Sequence, residues 1–192
     1  MSERREQVVD AAIRVLGGRG LRQLTHRAVD AEAGLPAGST SNYLRTREAM
    51  IRAIVARIGE LEQAQWRQLT DAGPPQPDQL AAQLSQVVAA ATGAQRQLTL
   101  ARHALFVEAA HDLRLREPLI AGWTEVHNWA TGWLAQLDIA EPAQTARLLL
   151  EYLDGLILHQ LALAEPTDPT SRIDRLLAGL GLAPAAARRT MT

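Results

Sequence analysis

The amino-acid sequence predicts an all-α fold, from its composition and from the spacing of its apolar residues. Aromatic residues make up 4% of the 192 residues, and Val and Ile are sparse beside Leu and Ala. Apolar residues recur at intervals of three and four, which is the helical period, and no segment of strand length alternates apolar and polar residues. The chain is therefore predicted to form about nine helices and to bury a substantial core.

Three short helices are predicted at the N-terminus. The first is marked by apolar residues at helical intervals, namely Val9, Ala12, Ile13 and Leu16. Thr25 has the side chain to cap a second helix over residues 25–33, and Gly34 suits the position just past its end. Pro36 is predicted to open a third helix, which runs to about Leu44. The first 50 residues therefore form a compact three-helix head.

The remaining helices are bounded by caps, prolines and chain breaks. Thr46 is predicted to cap a long fourth helix over about residues 47–70, and the sequence GPPQP interrupts the chain after it. Asp78 and Ser171 are predicted caps further on, and Pro118 and Pro142 are predicted helix starts. The helices that follow the break are predicted over residues 78–92, 95–111, 118–137, 142–164 and 172–180. Residues 51–182 thus make a helical body, and 183–192 a disordered tail.

Several functional classes are excluded by composition. The chain has no cysteine, so disulfides, thiolate metal sites and cysteine nucleophiles are impossible. Its N-terminus is charged and its most apolar stretch is interrupted by acidic residues, so neither a signal peptide nor a membrane span is predicted. His103, Glu108, His111 and Asp112 share a helix without metal-ligand spacing, and no catalytic triad or phosphate-binding loop stands out. A cytoplasmic, non-enzymatic protein without cofactor or metal is expected.

The charge is distributed unevenly along the chain. Residues 1–57 contain 10 Arg and 6 acidic residues, whereas residues 58–192 contain 10 Arg and 15 acidic residues. A net charge of −1 for the whole chain hides this asymmetry. The basic front end is the part predicted to meet a polyanion.

Residues 35–44 are rich in small and hydroxylated side chains, whereas a helix packed in the core would contain bulky apolar ones. A short helix that follows the turn Ala33-Gly34-Leu35 has the form of the second helix of a helix-turn-helix, which lies in the DNA major groove. Small side chains there allow a close approach of the backbone to DNA, while Asn42 can bridge adenine and Tyr43 can reach phosphate. The spacing alone fits a solvated connecting helix as well.

A resemblance to a known family favours the DNA-binding helix over the solvated connecting helix. From about Glu6 to Ile58 the chain resembles the DNA-binding domain of the tetracycline-repressor (TetR) family of regulators. The matching motifs are Gly-Gly-Arg-Gly-Leu after the first helix, Leu24-Thr25 with Arg27 and Ala28, Ala33-Gly34-Leu35, Gly38-Ser39, and residues 43–50. The chain departs from the family at Thr40 and Ser41, where Leu and Tyr are common, and at Arg47, where Lys is. Thr40 is expected to face the core of the head.

The resemblance implies a role for each matching residue. Those implied to hold phosphates are Thr25, Arg27, Ser39, Tyr43, Arg45 and Arg47. Those implied to face the bases are Ala37, Ser39 and Asn42, and Ser41 joins the predicted DNA-binding set beside them. Replacing Arg27 or Arg47 by Ala is expected to weaken binding evenly across sequences and to lower the salt slope by about one unit each.

A homodimer is predicted from the very apolar helix over 142–164. Because this helix is apolar on nearly every side, one of its faces and part of the last helix would be exposed in a monomer. The predicted interface residues are Leu149, Tyr152, Leu153, Leu156, Ile157, Ile173, Leu176, Leu177 and Leu180. Burial of these side chains within one chain is the alternative. The resemblance implies the same four-helix interface, and a dimer of such heads would bind a palindromic operator in double-stranded DNA.

A small-molecule site is expected in the body. Aromatic side chains with a few polar neighbours are typical of ligand pockets, although plain core packing explains each residue as well. The predicted ligand-binding residues are Trp66, Arg102, His103, Phe106, Trp123, His127, Trp129 and Tyr152. The resemblance implies an effector that releases DNA through a tilt of the fourth helix, in the bacterial cytoplasm. The alternatives are a helical-bundle enzyme or small-molecule-binding module, and an architectural protein that binds any duplex.

Overall fold

The computed structural model describes residues 3–71, 73, 76–137, 139–163 and 168–182, and this part of the chain is helical without strands. Nine α-helices lie within it: α1 Glu3–Arg19, α2 His26–Ala33, α3 Ser39–Tyr43, α4 Arg47–Asp71, α5 Leu80–Thr92, α6 Arg96–His111, α7 Arg116–Leu134, α8 Pro142–Leu163 and α9 Thr170–Gly179. Three 3-10 turns join them, over Leu21–Gln23, Leu113–Leu115 and Ala135–Leu137. The all-α prediction is confirmed, and the predicted tail lies outside the described residues.

Helix ends that depend on neighbouring residues were predicted correctly. The Oγ1 atom of Thr25 accepts a hydrogen bond from the Ala28 amide at 3.2 Å, and Thr46 caps α4 in the same way through Ala49 at 3.0 Å. Gly34 ends α2 in the left-handed conformation, with φ of 65°. A threonine oxygen offered to the first turn satisfies an amide that has no partner in its own helix.

Four predicted helix starts were wrong. Helix α7 begins at Arg116, two residues before the predicted start at Pro118. Gly38 has φ of 91°, so the chain turns through Pro36 and α3 begins only at Ser39. Asp78 lies in a turn, and α5 begins at Leu80 without a side-chain cap. Ser171 lies inside α9, which is capped instead by Asp168: its Oδ1 accepts hydrogen bonds from the amide and hydroxyl of Thr170.

The first compact unit comprises residues 1–64 and 95–123. Its core is formed by α1, α2, the first part of α4, and α6; the largest fully buried side chains include Leu16, Leu24, Val29, Met50, Ile54 and Leu105. Helix α1 approaches α6 so closely that a Cβ atom built on Gly17 would lie 1.9 Å from the carbonyl oxygen of Gln97. Only glycine fits at this crossing.

Ion pairs link the helices of this first unit. Arg57 of α4 holds Asp10 of α1 through two hydrogen bonds of 2.9 and 3.3 Å, and the bond to Asp10 is the main cause that raises the pKa of the guanidinium. Glu32 of α2 accepts hydrogen bonds from Arg14 and Arg19 of α1. These side chains fix α2 and α4 against α1.

The second compact unit comprises residues 65–94 and 124–192. Its described core is formed by α5, α8 and α9 with the end of α7, and it contains Leu80, Leu134, Ala146 and Ile173 at 0% exposure. Ser85 of α5 and Thr170 of α9 are joined through their hydroxyl groups at 2.9 Å. The boundary between the two units falls inside α4 and inside α7, whereas the sequence predicted a boundary at residue 50.

The described helices include none that combines the length and the apolar character needed to cross a bilayer.

Most of the predicted dimer face is core within a single chain. Six of its nine side chains are at most 8% exposed, namely Leu149, Leu153, Leu156, Ile157, Ile173 and Leu177. They pack against α5 and α7 in the core of the second unit. Only Tyr152, Leu176 and Leu180 keep part of their surface exposed. The face of α8 that is exposed in a monomer is therefore a different one from the face that the apolar pattern suggested.

Candidate functional site

Helices α2 and α3 form a helix-turn-helix whose turn is held by one buried carboxylate. Asp30 of α2 is 3% exposed. Its Oδ2 accepts a hydrogen bond from the Gly38 amide at 2.8 Å, and its Oδ1 accepts from the amide and the hydroxyl of Thr40 at 2.7 and 2.6 Å. The carboxylate thus caps the N-terminus of α3 from the neighbouring helix.

The carboxylate of Asp30 is ionised at neutral pH. Burial raises its pKa, but the hydrogen bonds from Thr40 and Gly38, together with the proximity of His26, outweigh burial and bring the pKa below its usual value. A buried anion that accepts three donors is stabilised, because each bond is charge-assisted and the positive end of a helix dipole faces it.

The predicted base-facing residues lie on α3 and in the turn before it. Ala37, Ser41 and Asn42 are exposed, Ser39 is half-buried, and Tyr43 is 40% exposed. The hydroxyl groups of Ser39 and Ser41 donate to the carbonyls of Pro36 and Gly38 at 2.6 and 2.7 Å, so their oxygens remain as acceptors. Thr40 is 0% exposed, which confirms that it faces the core of the head.

The predicted phosphate-binding residues surround this helix but differ in what they contact. Thr25, Arg27 and Arg45 are exposed, and within the described part of the chain neither arginine has a hydrogen-bond or ion-pair partner. Arg47 is also exposed, but its Nη1 and Nη2 atoms donate to the carbonyls of Leu24 and Leu21, both at 2.8 Å. Arg47 therefore braces the start of α4 against the loop before α2.

The acidic residues near this surface are either buried or paired within the protein. The carboxylate of Asp30 is buried, Glu32 is paired with two arginines, and Glu48 in the first turn of α4 is paired with Arg114. Arg114 is held in turn by Asp112, whose pKa is lowered by hydrogen bonds from Arg114. The free charge beside α3 is therefore positive.

Three tryptophans of the second unit form a continuous aromatic cluster. The ring centroids of Trp66 and Trp129 are 4.9 Å apart with a tilt of 36°, and those of Trp129 and Trp133 are 5.6 Å apart and stacked. Trp133 is 5% exposed, and its Nε1–H finds no hydrogen-bond acceptor among the described residues. An indole donor buried without an acceptor is uncommon in proteins.

The polar residues predicted for the ligand site already have contacts in the protein. Arg102 pairs with Glu62 at 3.2 Å and lies over the ring of Phe106, 5.8 Å from its centroid. The Nδ1 atom of His103 is 2.9 Å from the Thr99 carbonyl, and the Nε2 atom of His127 is 2.9 Å from the Ala143 carbonyl. The predicted ligand set is divided between the two units.

Two further residues of the predicted ligand set, Trp123 and Tyr152, lie outside the tryptophan cluster. Trp123 is half-buried at the end of the first unit. Tyr152 lines an open cavity of about 390 Å³ between α8 and α9, together with Ser171, Arg172, Arg175 and Leu176.

Asp30 and Trp133 are absent from the predicted site residues. Trp133 follows Trp129 by four residues, so both lie on one face of α7, but the sequence predicted only Trp129 of this pair as a ligand-binding residue, because an aromatic side chain on a helix fits the core as well as a pocket. Asp30 caps a helix that starts nine residues later, and such a contact has no local signature. The departure from the family at Thr40, where a hydroxyl replaces an apolar side chain in a core position, was the one hint of a buried polar partner.

The chain resembles a family of regulators in both sequence and structure. Residues 75–183 match the family model described as Tetracyclin repressor-like, C-terminal domain. No curated protein is significantly similar in sequence.

Solved structures extend the similarity to nearly the whole chain. A member of the TetR family from Streptomyces coelicolor A3 is 31% identical, with 95% of this chain and 99% of that chain covered and a TM-score of 0.68. The multidrug binding protein EbrR, complexed with ethidium, is 30% identical over 93% of this chain and 98% of its own, with a TM-score of 0.69. A transcriptional regulator from Rhodococcus sp. Rha1 shares the fold, with a TM-score of 0.77 at 22% identity over 94% and 96% of the two chains.

Proposed function

This chain belongs to the tetracycline-repressor (TetR) family of transcriptional regulators, and we propose that it is a ligand-responsive repressor. A homodimer binds a palindromic operator through two α2–α3 heads, and a small aromatic effector in the helical body releases it. The observation that carries the proposal is the surface around α3, where small side chains project, Arg27 and Arg45 stand free, and nearby carboxylates are already satisfied. We propose a transcription factor of the cytoplasm, not an enzyme.

We propose that contacts to DNA divide into positioning and reading. Thr25, Arg27, Tyr43, Arg45 and Arg47 contact phosphates, which sets the register of the head on the duplex. Ala37, Ser39, Ser41 and Asn42 approach the bases, where the exposed carboxamide of Asn42 can form two hydrogen bonds with adenine.

Selection of bound duplexes from a random pool tests this proposal. The purified protein is expected to enrich a palindrome whose half-sites are about one helical turn apart, because a two-fold dimer presents two identical heads. A mobility-shift assay with unrelated competitor DNA then separates a regulator from an architectural protein. Enrichment of no sequence, together with competition by any duplex, would contradict the proposal.

Replacing Arg27 or Arg45 by Ala should weaken binding to operator and to unrelated DNA by similar factors. Each substitution removes one phosphate contact, so the slope of log affinity against log salt concentration is expected to fall in magnitude by about 0.9. Titrations at four or more salt concentrations measure the slope. Arg67→Ala, at the other end of α4, is the matched control and should leave it unchanged.

Arg47→Ala is expected to affect DNA binding differently from Arg27→Ala and Arg45→Ala. Its guanidinium holds two carbonyls of the loop before α2, so Arg47→Ala should loosen that loop as well as remove a positive charge. Arg47→Ala is therefore expected to lower the affinity for DNA more than Arg27→Ala does. Its slope of log affinity against log salt concentration should change by no more than the value for one phosphate contact.

We propose that the effector contacts the cluster of Trp66, Trp129 and Trp133. The relative EbrR has been solved in complexes with ethidium, proflavin and malachite green, which are aromatic molecules. Three tryptophan rings, with Trp129 in contact with each of the other two, offer aromatic surfaces for such a ligand, and the free Nε1–H of Trp133 would favour a ligand that carries a hydrogen-bond acceptor. The affinity difference needed is modest, since a hundred-fold induction corresponds to about 3 kcal/mol between the bound and released states.

An effector in this cluster should quench tryptophan fluorescence. Trp129→Phe is expected to lower the affinity for a screened aromatic ligand by about ten-fold or more, because the ring of Trp129 contacts the rings of both Trp66 and Trp133. Trp123→Phe is the same substitution on the same helix and serves as the comparison. Equal affinities of both variants and the original protein would place the effector elsewhere.

We propose that the dimer forms through the outer face of α8 and not through the predicted one. The exposed residues Leu148, Glu151, Gly155, Leu158 and Ala162 follow each other at intervals of three and four. They form a single stripe along the helix, as in helices that pack side by side at a shallow angle. Gly155 has no atom within 4 Å of an added Cβ, so another helix can approach closely there.

A further inference from the structure

We propose that Asp30 is a positioning residue for operator reading: its buried carboxylate orients α3, and through α3 it determines how well the protein distinguishes its operator from other DNA. The inference rests on the proposed function, because it assigns a role in DNA recognition to a residue that touches no DNA. It goes beyond the proposed contacts, since all of those are on the surface.

The interactions within helix α3 are too few to fix its orientation. It has five residues, so it can form few hydrogen bonds within itself, and short isolated helices are unstable in water. Its only buried side chain is Thr40, so apolar packing holds it weakly. The exposed faces of Ser41 and Asn42 therefore have the orientation that Asp30 and the turn impose.

Asp30 supplies the bonds that α3 lacks. The amide of Gly38 and the amide of Thr40 lie at the helix start, where no carbonyl of the same helix can accept from them. Both oxygens of the carboxylate are used, one for each amide, and Oδ1 also accepts from the Thr40 hydroxyl. With an acceptor on each side of the turn, α3 is held both in distance and in rotation about its axis.

The donors around Asp30 are matched to a carboxylate and not to an amide. In Asp30→Asn, the new NH2 group must face either the Gly38 amide or the Thr40 amide, whichever way the side chain is turned. Two donors then oppose each other in a buried site, which is unfavourable. The substitution keeps the shape and size of the side chain, so it tests the hydrogen bonds and not the packing.

The fold of the head does not depend on Asp30 alone. The core of the first unit is built from apolar side chains of α1, α2, α4 and α6, and Arg14 and Arg19 hold α2 through Glu32. Loss of the Asp30 bonds should therefore release α3 while the rest of the head stays folded. A residue that merely stabilised the fold would change the melting temperature and leave the specificity of the folded protein unaltered.

The experiment measures the affinities of each protein for the selected operator and for an unrelated duplex at one salt concentration, with thermal unfolding alongside. For Asp30→Asn, the operator affinity is expected to fall about 10- to 100-fold while the affinity for unrelated DNA stays within about two-fold, because the phosphate contacts remain. Thr40→Val lacks the hydroxyl donor and should show a smaller fall in the ratio of operator affinity to affinity for unrelated DNA. Thr40→Ser keeps the hydroxyl and should behave like the original protein.

Four outcomes are informative. A reduced ratio of operator to unrelated affinity in Asp30→Asn and Thr40→Val, with Thr40→Ser restored, supports the inference. An unchanged ratio in both overturns it, even if the melting temperature falls. If Asp30→Asn does not fold, the pair Thr40→Val and Thr40→Ser decides by the same ratio. Failure of the original protein to prefer any duplex would instead contradict the proposed function itself.

Discussion

Gly17→Ala is expected to destabilise the protein by about 2 to 3 kcal/mol, the upper range for overpacking in a well-packed core. The added Cβ would lie 1.9 Å from the Gln97 carbonyl oxygen, 2.7 Å from its carbonyl carbon and 3.0 Å from its Cα. These are backbone atoms at the start of α6, so no side chain can rotate away. The two helices must separate, and the apolar contacts between α1 and α6 weaken with them.

The neighbouring glycine provides the control for this substitution. Gly18 is exposed, and a Cβ there would meet only the end of the Gln97 side chain at 3.6 Å, an ordinary contact. Ala is favoured over Gly in a helix by up to about 1 kcal/mol, so Gly18→Ala should be neutral or stabilising. Denaturant unfolding of the three proteins measures both effects. Equal stabilities of the two variants would show that α1 and α6 do not cross as described.

Leu158→Arg is expected to convert the proposed dimer to a monomer and to weaken operator binding by about 100-fold or more. Leu158 is 45% exposed at the middle of the outer stripe of α8, between Gly155 and Ala162. In the proposed interface, the guanidinium of each partner would be desolvated, which is unfavourable for a charge without a partner of opposite sign. The operator affinity should fall with the dimer, because two linked heads bind DNA about 100 to 10,000 times more tightly than one head.

The monomer itself should remain folded, since the side chain at position 158 is open to solvent. Val107→Arg is the matched variant, because Val107 is also an exposed apolar residue in a helix, at 66% exposure on α6. Light scattering at micromolar concentration and mobility shift with the selected operator measure the two effects. A dimeric Leu158→Arg protein with normal operator binding would show that the interface lies on another face.

The sequence predicted those parts of the fold that depend on residues close together in the chain. Thr25 and Thr46 cap their helices through amides three residues ahead, and Gly34 ends α2 at its own position. The exposed, small residues of α3 were likewise visible, because their types and order carry the signal. Such features follow from local geometry, which the sequence states directly.

Contacts between distant residues were beyond the reach of the sequence. Pro36 was predicted to open α3, but the positive φ of Gly38 and the acceptor atoms of Asp30 place the start at Ser39. Arg47 matched a phosphate-binding position, yet its guanidinium is held by two carbonyls more than twenty residues earlier. Neither contact has a spacing that a sequence pattern could reveal.

Helix α8 shows the physical reason most clearly. Apolar residues on nearly every side predicted from the sequence alone that α8 is buried on more than one face. The pattern could not say which face the chain covers itself, because a leucine is equally apolar against its own core and against a partner. Only the packing of α5, α7 and α9 decided it: they cover Leu149, Leu153 and Leu156, and leave Leu148 and Leu158 to solvent.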